Sequence, residues 1–111
     1  MQSTLNLLRK IGMKSNYTGY SYFAYGIALT VSNSAYSLNV TKGLYTDIAI
    51  QYGVSRTCVE AALRTLIRSY WNQYDDSILS ELLGYPLYER PTASEFISLL
   101  ADFRRDNPHY C

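Results

Sequence analysis

The polar residues Arg56, Thr57, Glu60, Arg64, Thr65 and Arg68 recur at the three- and four-residue spacing of one helix face. Side chains of these types suit the base edges and backbone of a nucleic acid. A carboxylate such as Glu60 accepts from the amino group of cytosine. An arginine such as Arg64 holds a guanine edge or a phosphate, and a threonine bonds to either. Arg56, Thr57, Glu60, Arg64 and Thr65 are therefore the expected base contacts. Lys42, Ser55 and Arg68 are the expected phosphate contacts, which fix register and carry little sequence information. The plainer account of Arg68 is a solvated face, and Glu60 and Arg64, four residues apart, can also pair with each other.

Other chemistry finds little support. The chain has one histidine, His109, and neither a nucleophile elbow nor a phosphate loop. Asp75 and Asp76 are adjacent, so they would not share a helix face, and a helix start explains them better. His109 and Cys111 are too few ligands for a metal site. Cys58 and Cys111 make no disulfide framework and suit a reducing cytoplasm. Cys58 falls in the first turn of a helix, where a small residue is the plain reading. No enzyme activity, metal or cofactor is expected.

The face from Arg56 to Arg68 needs a scaffold, and the sequence supplies one over residues 45–71, YTDIAIQYGVSRTCVEAALRTLIRSYW. This stretch predicts a helix, a tight turn and a second helix. Ile48, Ala49 and Tyr52 give the first helix an apolar stripe, with Ala49 small where two helices cross. Gly53 stands where the chain leaves that helix and takes the left-handed conformation at least steric cost. Ser55 can cap the next helix, and Val54 and Val59 are spaced as a hydrophobic staple across the cap. Val59, Ala62, Leu63 and Leu66 or Ile67 form its buried face. A helix held at such a crossing presents its N-terminal half to a major groove. The bland alternative is an ordinary helical hairpin inside an all-α domain.

The chain of 111 residues, 48% hydrophobic and 17% charged, is enough for one domain with a modest core. A net charge of +1 gives no global pull toward nucleic acid or membrane, so any DNA binding rests on a local patch. The 12 tyrosines are scattered. Most are expected as core or half-buried rings whose hydroxyls reach a polar edge, because no strand-rich scaffold exists for a single-strand stacking platform. No signal peptide is expected, since the N-terminus lacks a basic region followed by an apolar run, and the apolar run over residues 20–31 is too short and interrupted to span a bilayer. A cytoplasmic protein is expected.

In chain order, Ser3 or Thr4 is expected to cap a first helix that carries Leu5, Leu7, Leu8 and Ile11 and ends at Gly12. A second begins near Gly19 or Tyr20 and buries Tyr20, Phe23, Ala24, Ile27 and Val31, with Gly26 weakening it slightly. Residues 33–39 read as a frayed end and loop, or one short helical turn. The helix-turn-helix follows, at about 44–71, with Tyr70 and Trp71 burying its far end. Asp75 or Asp76 starts a helix with Ile78, Leu79, Leu82 and Leu83, closed by Gly84. Residues 85–91 form a loop bounded by prolines. Thr92 to Glu95 reads as a capping box. The last helix is expected to bury Phe96, Leu99, Leu100 and Phe103, to expose Arg104 and Arg105, and to stop at Asn107 and Pro108. The prediction is an all-α, six-helix single domain with neither repeats nor a linker.

Laid out this way, the chain resembles the C-terminal effector domains of the sporulation master regulators, the stage 0 sporulation protein A response regulators of endospore-forming bacteria. The resemblance is carried by Ile11-Gly12, Gly19-Tyr20, TKGLYTDIA at 41–49, Val59-Glu60, Arg64, Trp71, Gly84-Tyr85 and PTASEFISLLAD at 91–102. It covers nearly the whole chain. It implies a six-helix domain that reads a short promoter box in double-stranded DNA. It also implies a homodimer or tandem copies set head to tail on adjacent boxes. The family's recognition helix contacts bases with a Glu and an Arg side by side, and with a further Arg and a His one turn on. Glu60 matches the Glu and Arg64 the later Arg. Ala61 stands in place of the neighbouring Arg and Thr65 in place of the His, so both fall at base-contact positions. An arginine gripping guanine with two hydrogen bonds contributes roughly 1–3 kcal/mol of discrimination, which Ala61 does not supply. The loop before Pro91, a neighbourhood the family links to the RNA polymerase sigma subunit, is shorter here.

The family's full proteins carry an N-terminal receiver domain with a phosphorylated aspartate. Read from Met1, no receiver domain is expected: with a native start at Met1 phosphorylation would not switch the protein by the usual route, and in an excised domain the switch would simply have been left out. The leading expectation is a sequence-specific DNA-binding transcription regulator. The alternative is a protein-interaction module that keeps the fold, has weakened DNA readout and modulates a partner regulator. Ala61 and the low net charge favour the alternative, and TKGLYTDIA favours the first.

Overall fold

The computed structural model describes residues 2–73 and 76–107, with side chains except at 76 and 77. Met1, Asp75, Pro108, His109 and Cys111 lie outside the described residues, so the readings placed on them do too. Among the described residues six α-helices follow in order: α1 (Gln2–Lys10), α2 (Thr18–Ser32), α3 (Tyr45–Tyr52), α4 (Arg56–Asn72), α5 (Asp76–Leu83) and α6 (Ala93–Asp106). No strand occurs among the described residues. No described helix is long and apolar enough to cross a membrane.

The first helix departs from its expected start. Gln2 is already helical, and Thr4 lies inside the helix, buried beside Leu7 and Leu8. Thr4 sits three and four residues before these leucines, so docking on the core overrides its preference for a cap. After α1 the Met13 N–H donates to the Leu8 carbonyl at 3.0 Å, which folds Met13 back into the core.

Helix α2 is the hub, packing against α4 on one side and α6 on the other. Its buried residues are Gly19, Tyr20, Tyr22, Phe23, Ala24, Gly26, Ile27 and Thr30, so it is enclosed on most of its circumference. The backbones of α2 and α4 nearly touch. A β-carbon on Gly19 would stand 2.4 Å from the Ala62 carbonyl oxygen. Gly26 does more than weaken its helix. The bare position admits the Ile48 side chain, whose Cδ1 would be 3.1 Å from a β-carbon there.

Residues 33–39 adopt the short turn that was one of the two expectations. Asn33 accepts from the Ala35 N–H and opens a 3₁₀ helix, Ser34–Leu38. One π-helical turn, Val40–Leu44, then runs directly into α3. The Tyr36 hydroxyl donates to Asp47 Oδ2 at 2.5 Å and ties the 3₁₀ segment to α3.

The core is one cluster centred on Phe23, Phe96, Ile27, Leu44, Ile48, Leu63 and Leu66. Phe23 and Phe96 meet edge to face with centroids 5.4 Å apart. Helix α5 carries Ile78, Leu79, Leu82 and Leu83 as expected, with Ile78 42% exposed and Leu79 buried. The expected buried face of α6 needs correction. On α6, Phe96, Ile97, Leu100 and Ala101 are buried, whereas Leu99 and Phe103 are only half-buried. Helix α6 contacts both α2 and α4, and two adjacent ridges serve two neighbours better than one stripe. Arg104 is half-buried rather than exposed. Arg105 is exposed but engaged. One of its nitrogens pairs with Asp102 at 2.8 Å and another donates to the Thr30 carbonyl at 2.7 Å, near the C-terminal end of α2.

The tyrosines behave largely as expected. The Tyr70 hydroxyl donates to the Ile11 carbonyl at 2.9 Å and that of Tyr20 to the Leu5 carbonyl at 3.4 Å. Among the described residues the exposed exceptions are Tyr85 and Tyr88, in the loop before α6, and Tyr52.

Candidate nucleic-acid interface

The turn between α3 and α4 is built by local chemistry. Gly53 has φ +66, the left-handed conformation. The Val54 N–H donates back to the Ala49 carbonyl at 3.0 Å and the Gly53 N–H to that of Ile50 at 3.3 Å. These bonds close α3 in a Schellman-type cap. Ser55 then caps α4 by accepting from the Cys58 N–H at 3.0 Å. Of the staple pair, Val59 is in the core and Val54, partly buried, packs against it.

Cap and staple fix the rotation of α4. Val59, Leu63, Leu66, Ile67 and Tyr70 are buried, so the turn needs both Leu66 and Ile67. Tyr70 meets Phe96 at 6.0 Å between centroids, which anchors the far end. The opposite face is open: Arg56, Thr57, Ala61, Arg64, Thr65 and Arg68 are all exposed. Glu60 is half-buried. No described carboxylate lies within 4.0 Å of Arg64, so the Glu60–Arg64 ion pair is not formed.

Helix α3 is less one-sided than its pattern suggests. Ile48 and Ala49 are buried, but Tyr52 is 36% exposed and rests at the edge of the core. Its ring packs against Tyr22 at 5.0 Å and Tyr25 at 5.9 Å. Tyr45 and Leu44 take the buried places instead.

Two grooves flank α4 and divide four of the expected base-contact residues between them, Glu60 and Arg64 on one side, Ala61 and Thr65 on the other. On one side a cleft of about 400 Å³ is lined by Glu60, Arg64, Tyr45 and Thr41 together with Arg90 and Thr92. On the other a groove of about 460 Å³ is lined by Cys58, Ala61 and Thr65 with Tyr17, Thr18 and Gly19 from the start of α2. Arg56, Thr57 and Arg68 line neither and remain on the exposed face.

The electrostatics differ between the two. In the first cleft, burial pushes the Tyr45 hydroxyl up to about 12, and the Glu60 charge adds to this. Tyr45 therefore stays a neutral phenol beside the carboxylate at any physiological pH. Beside the second groove, burial raises the Tyr22 hydroxyl, with a smaller contribution from the neighbouring Cys58 thiol. Cys58 itself is exposed, as its place in the first helical turn suggests. No group of three potential metal ligands occurs among the described residues.

Of the expected phosphate contacts, Lys42 is exposed in the π-helical turn that leads into α3. Ser55 is exposed too, and its cap uses one lone pair of the hydroxyl, leaving the O–H to donate. Sequence reasoning did not single out Thr41, Tyr45 or Arg90. Arg90 carries no helical period and stands 26 residues beyond Arg64, so only the docking of α6 brings it to the cleft.

The family model described as sporulation initiation factor Spo0A C terminal matches residues 4–103. The match takes in every residue that lines the two grooves.

Proposed function

The chain belongs to the sporulation initiation factor Spo0A C-terminal family, whose members are helical DNA-binding domains of sporulation regulators, and from that premise we propose that it reads a specific sequence through α4. One observation carries the reading. The single long face of α4 left outside the core is the face that holds Arg56, Thr57, Ala61, Arg64, Thr65 and Arg68. In this reading α4 lies in the major groove. Glu60 and Arg64 take base edges from the first cleft. Ala61 and Thr65 meet bases from the second, where a methyl group of either residue suits a thymine methyl. Lys42, Ser55 and Arg68 hold phosphates and set the register. The protein acts in the cytoplasm on double-stranded DNA, as a homodimer or as tandem copies on adjacent boxes, with the sigma subunit of RNA polymerase as a further partner.

The test is fluorescence anisotropy on labelled duplexes, one with the family's promoter box and one scrambled, at two salt concentrations. Box-dependent binding that weakens steeply with salt is expected. Equal, weak binding to both duplexes would sink the readout of that box. It would favour the second reading, an interaction module acting on a partner regulator. The observation behind that reading is Ala61, exposed where an arginine would otherwise project.

A further inference from the structure

The cleft on the Glu60 side of α4 has a second bank that the helix-turn-helix does not supply. It consists of Arg90 and the residues that open α6. Arg90 is exposed, and no described carboxylate lies within 4.0 Å of it. Glu89, its neighbour in sequence, does not line the cleft. A guanidinium left without an anion beside a recognition helix is available to a ligand that brings one.

Its backbone is also held in place. Pro91 restricts the residue before it to an extended conformation. Thr92 closes a capping box immediately beyond, accepting from the Glu95 N–H at 3.2 Å while its own N–H donates to Glu95 Oε1 at 3.1 Å. Phe96, one residue on, is fully buried against Phe23. Arg90 thus projects from a fixed point on the core. Across the cleft stand Arg64 and Thr41, and Thr41 is followed by the exposed Lys42. Cations therefore stand on both banks, and the half-buried Glu60 is the only carboxylate among the cleft-lining residues.

We propose that Arg90 is a positioning residue of the DNA interface, gripping a phosphate of the strand whose bases face Glu60 and Arg64. This rests on the DNA-binding reading above. It widens the interface from the helix-turn-helix to the start of α6, so that the duplex is held from both sides of the cleft. A contact of this kind fixes the register of α4 and reads no base.

Arg90→Ala and Arg90→Lys, with wild-type protein, are titrated against the box duplex and the scrambled duplex over a range of salt. Arg90→Ala is expected to weaken both complexes by a similar factor, on the order of tenfold. The slope of log affinity against log salt should fall by about 1. Arg90→Lys should keep the wild-type slope, because the charge remains. Wild-type affinity and slope in Arg90→Ala, with wild-type protein still preferring the box, would overturn this inference and leave the DNA-binding reading standing. Loss of box preference at unchanged scrambled affinity would overturn it too, by making Arg90 a base reader. Wild-type protein that binds neither duplex would remove both readings together.

Discussion

Gly19 of α2 and Ala62 of α4 meet backbone to backbone, with room for no side-chain atom between them: a β-carbon on Gly19 would lie 2.4 Å from the Ala62 oxygen and 2.8 Å from its carbonyl carbon. The obstacle is main chain, so a rotamer change does not relieve it. Gly19→Ala is expected to destabilise the protein by about 1–3 kcal/mol. Urea midpoints at an unchanged m-value would measure it. A midpoint equal to that of the wild type would mean that the two helices part without cost. Because Gly19 also lines the groove beside Ala61 and Thr65, the same variant should bind DNA less well.

The bond from the Tyr36 hydroxyl to Asp47 fastens the 3₁₀ segment to α3. That bond is also the chief cause that raises the pKa of the Tyr36 hydroxyl above its ordinary value, with burial second. Tyr36→Phe removes it and keeps the ring. The expected loss is about 1–2 kcal/mol, the range for a hydrogen bond to a charged group at a partly exposed site. A double-mutant cycle with Asp47→Ala, which leaves no acceptor for the hydroxyl, would assign the loss to this pair, and a coupling near zero would refute the assignment.

Ala61 lies exposed on the open face of α4. An arginine there has solvent to extend into, so Ala61→Arg should fold as the wild type does. It should raise affinity for the family's promoter box by roughly tenfold or more, the effect of one bidentate guanine contact. The gain on a scrambled duplex should be no more than one added charge provides. Equal gains on both duplexes would show that the new arginine meets phosphates alone.

Tyr45 sets an alkaline limit on stability. Burial, and after it the Glu60 charge, raises its hydroxyl from 10.0 to about 12 in the folded protein. The unfolded chain therefore loses this proton first. The stabilisation from the neutral phenol is whole below pH 10 and fades as the pH climbs toward 12, by at most roughly 2–3 kcal/mol. Tyr45→Phe has no proton to lose at this position. Its urea midpoint should fall less steeply between pH 10 and 12 than that of the wild type. An identical pH slope in the two proteins would exclude Tyr45 as a source of the limit.

The sequence by itself determined the helix-turn-helix and most helix boundaries. Gly53 closing α3, Ser55 capping α4, the stripe Val59, Leu63, Leu66 and Ile67, and the box at Thr92 and Glu95 are signals between residues within about one helical turn. Such interactions are complete inside one stretch of chain, so the spacing of residue types reveals them. The exposed face of α4 followed from the same periodicity. Thr4 misled because a cap residue and a small core residue look alike until a neighbour covers one of them. Only the tertiary structure decided that α2 is the hub, that Gly19 is a crossing point, and that Glu60 and Arg64 share a cleft with Tyr45 and Arg90. Those relationships join residues far apart in sequence, and the docking of Phe96 onto Phe23 and Tyr70 sets them. A packing contact over that range leaves no period in the chain, because its geometry belongs to the assembled core and not to either segment alone.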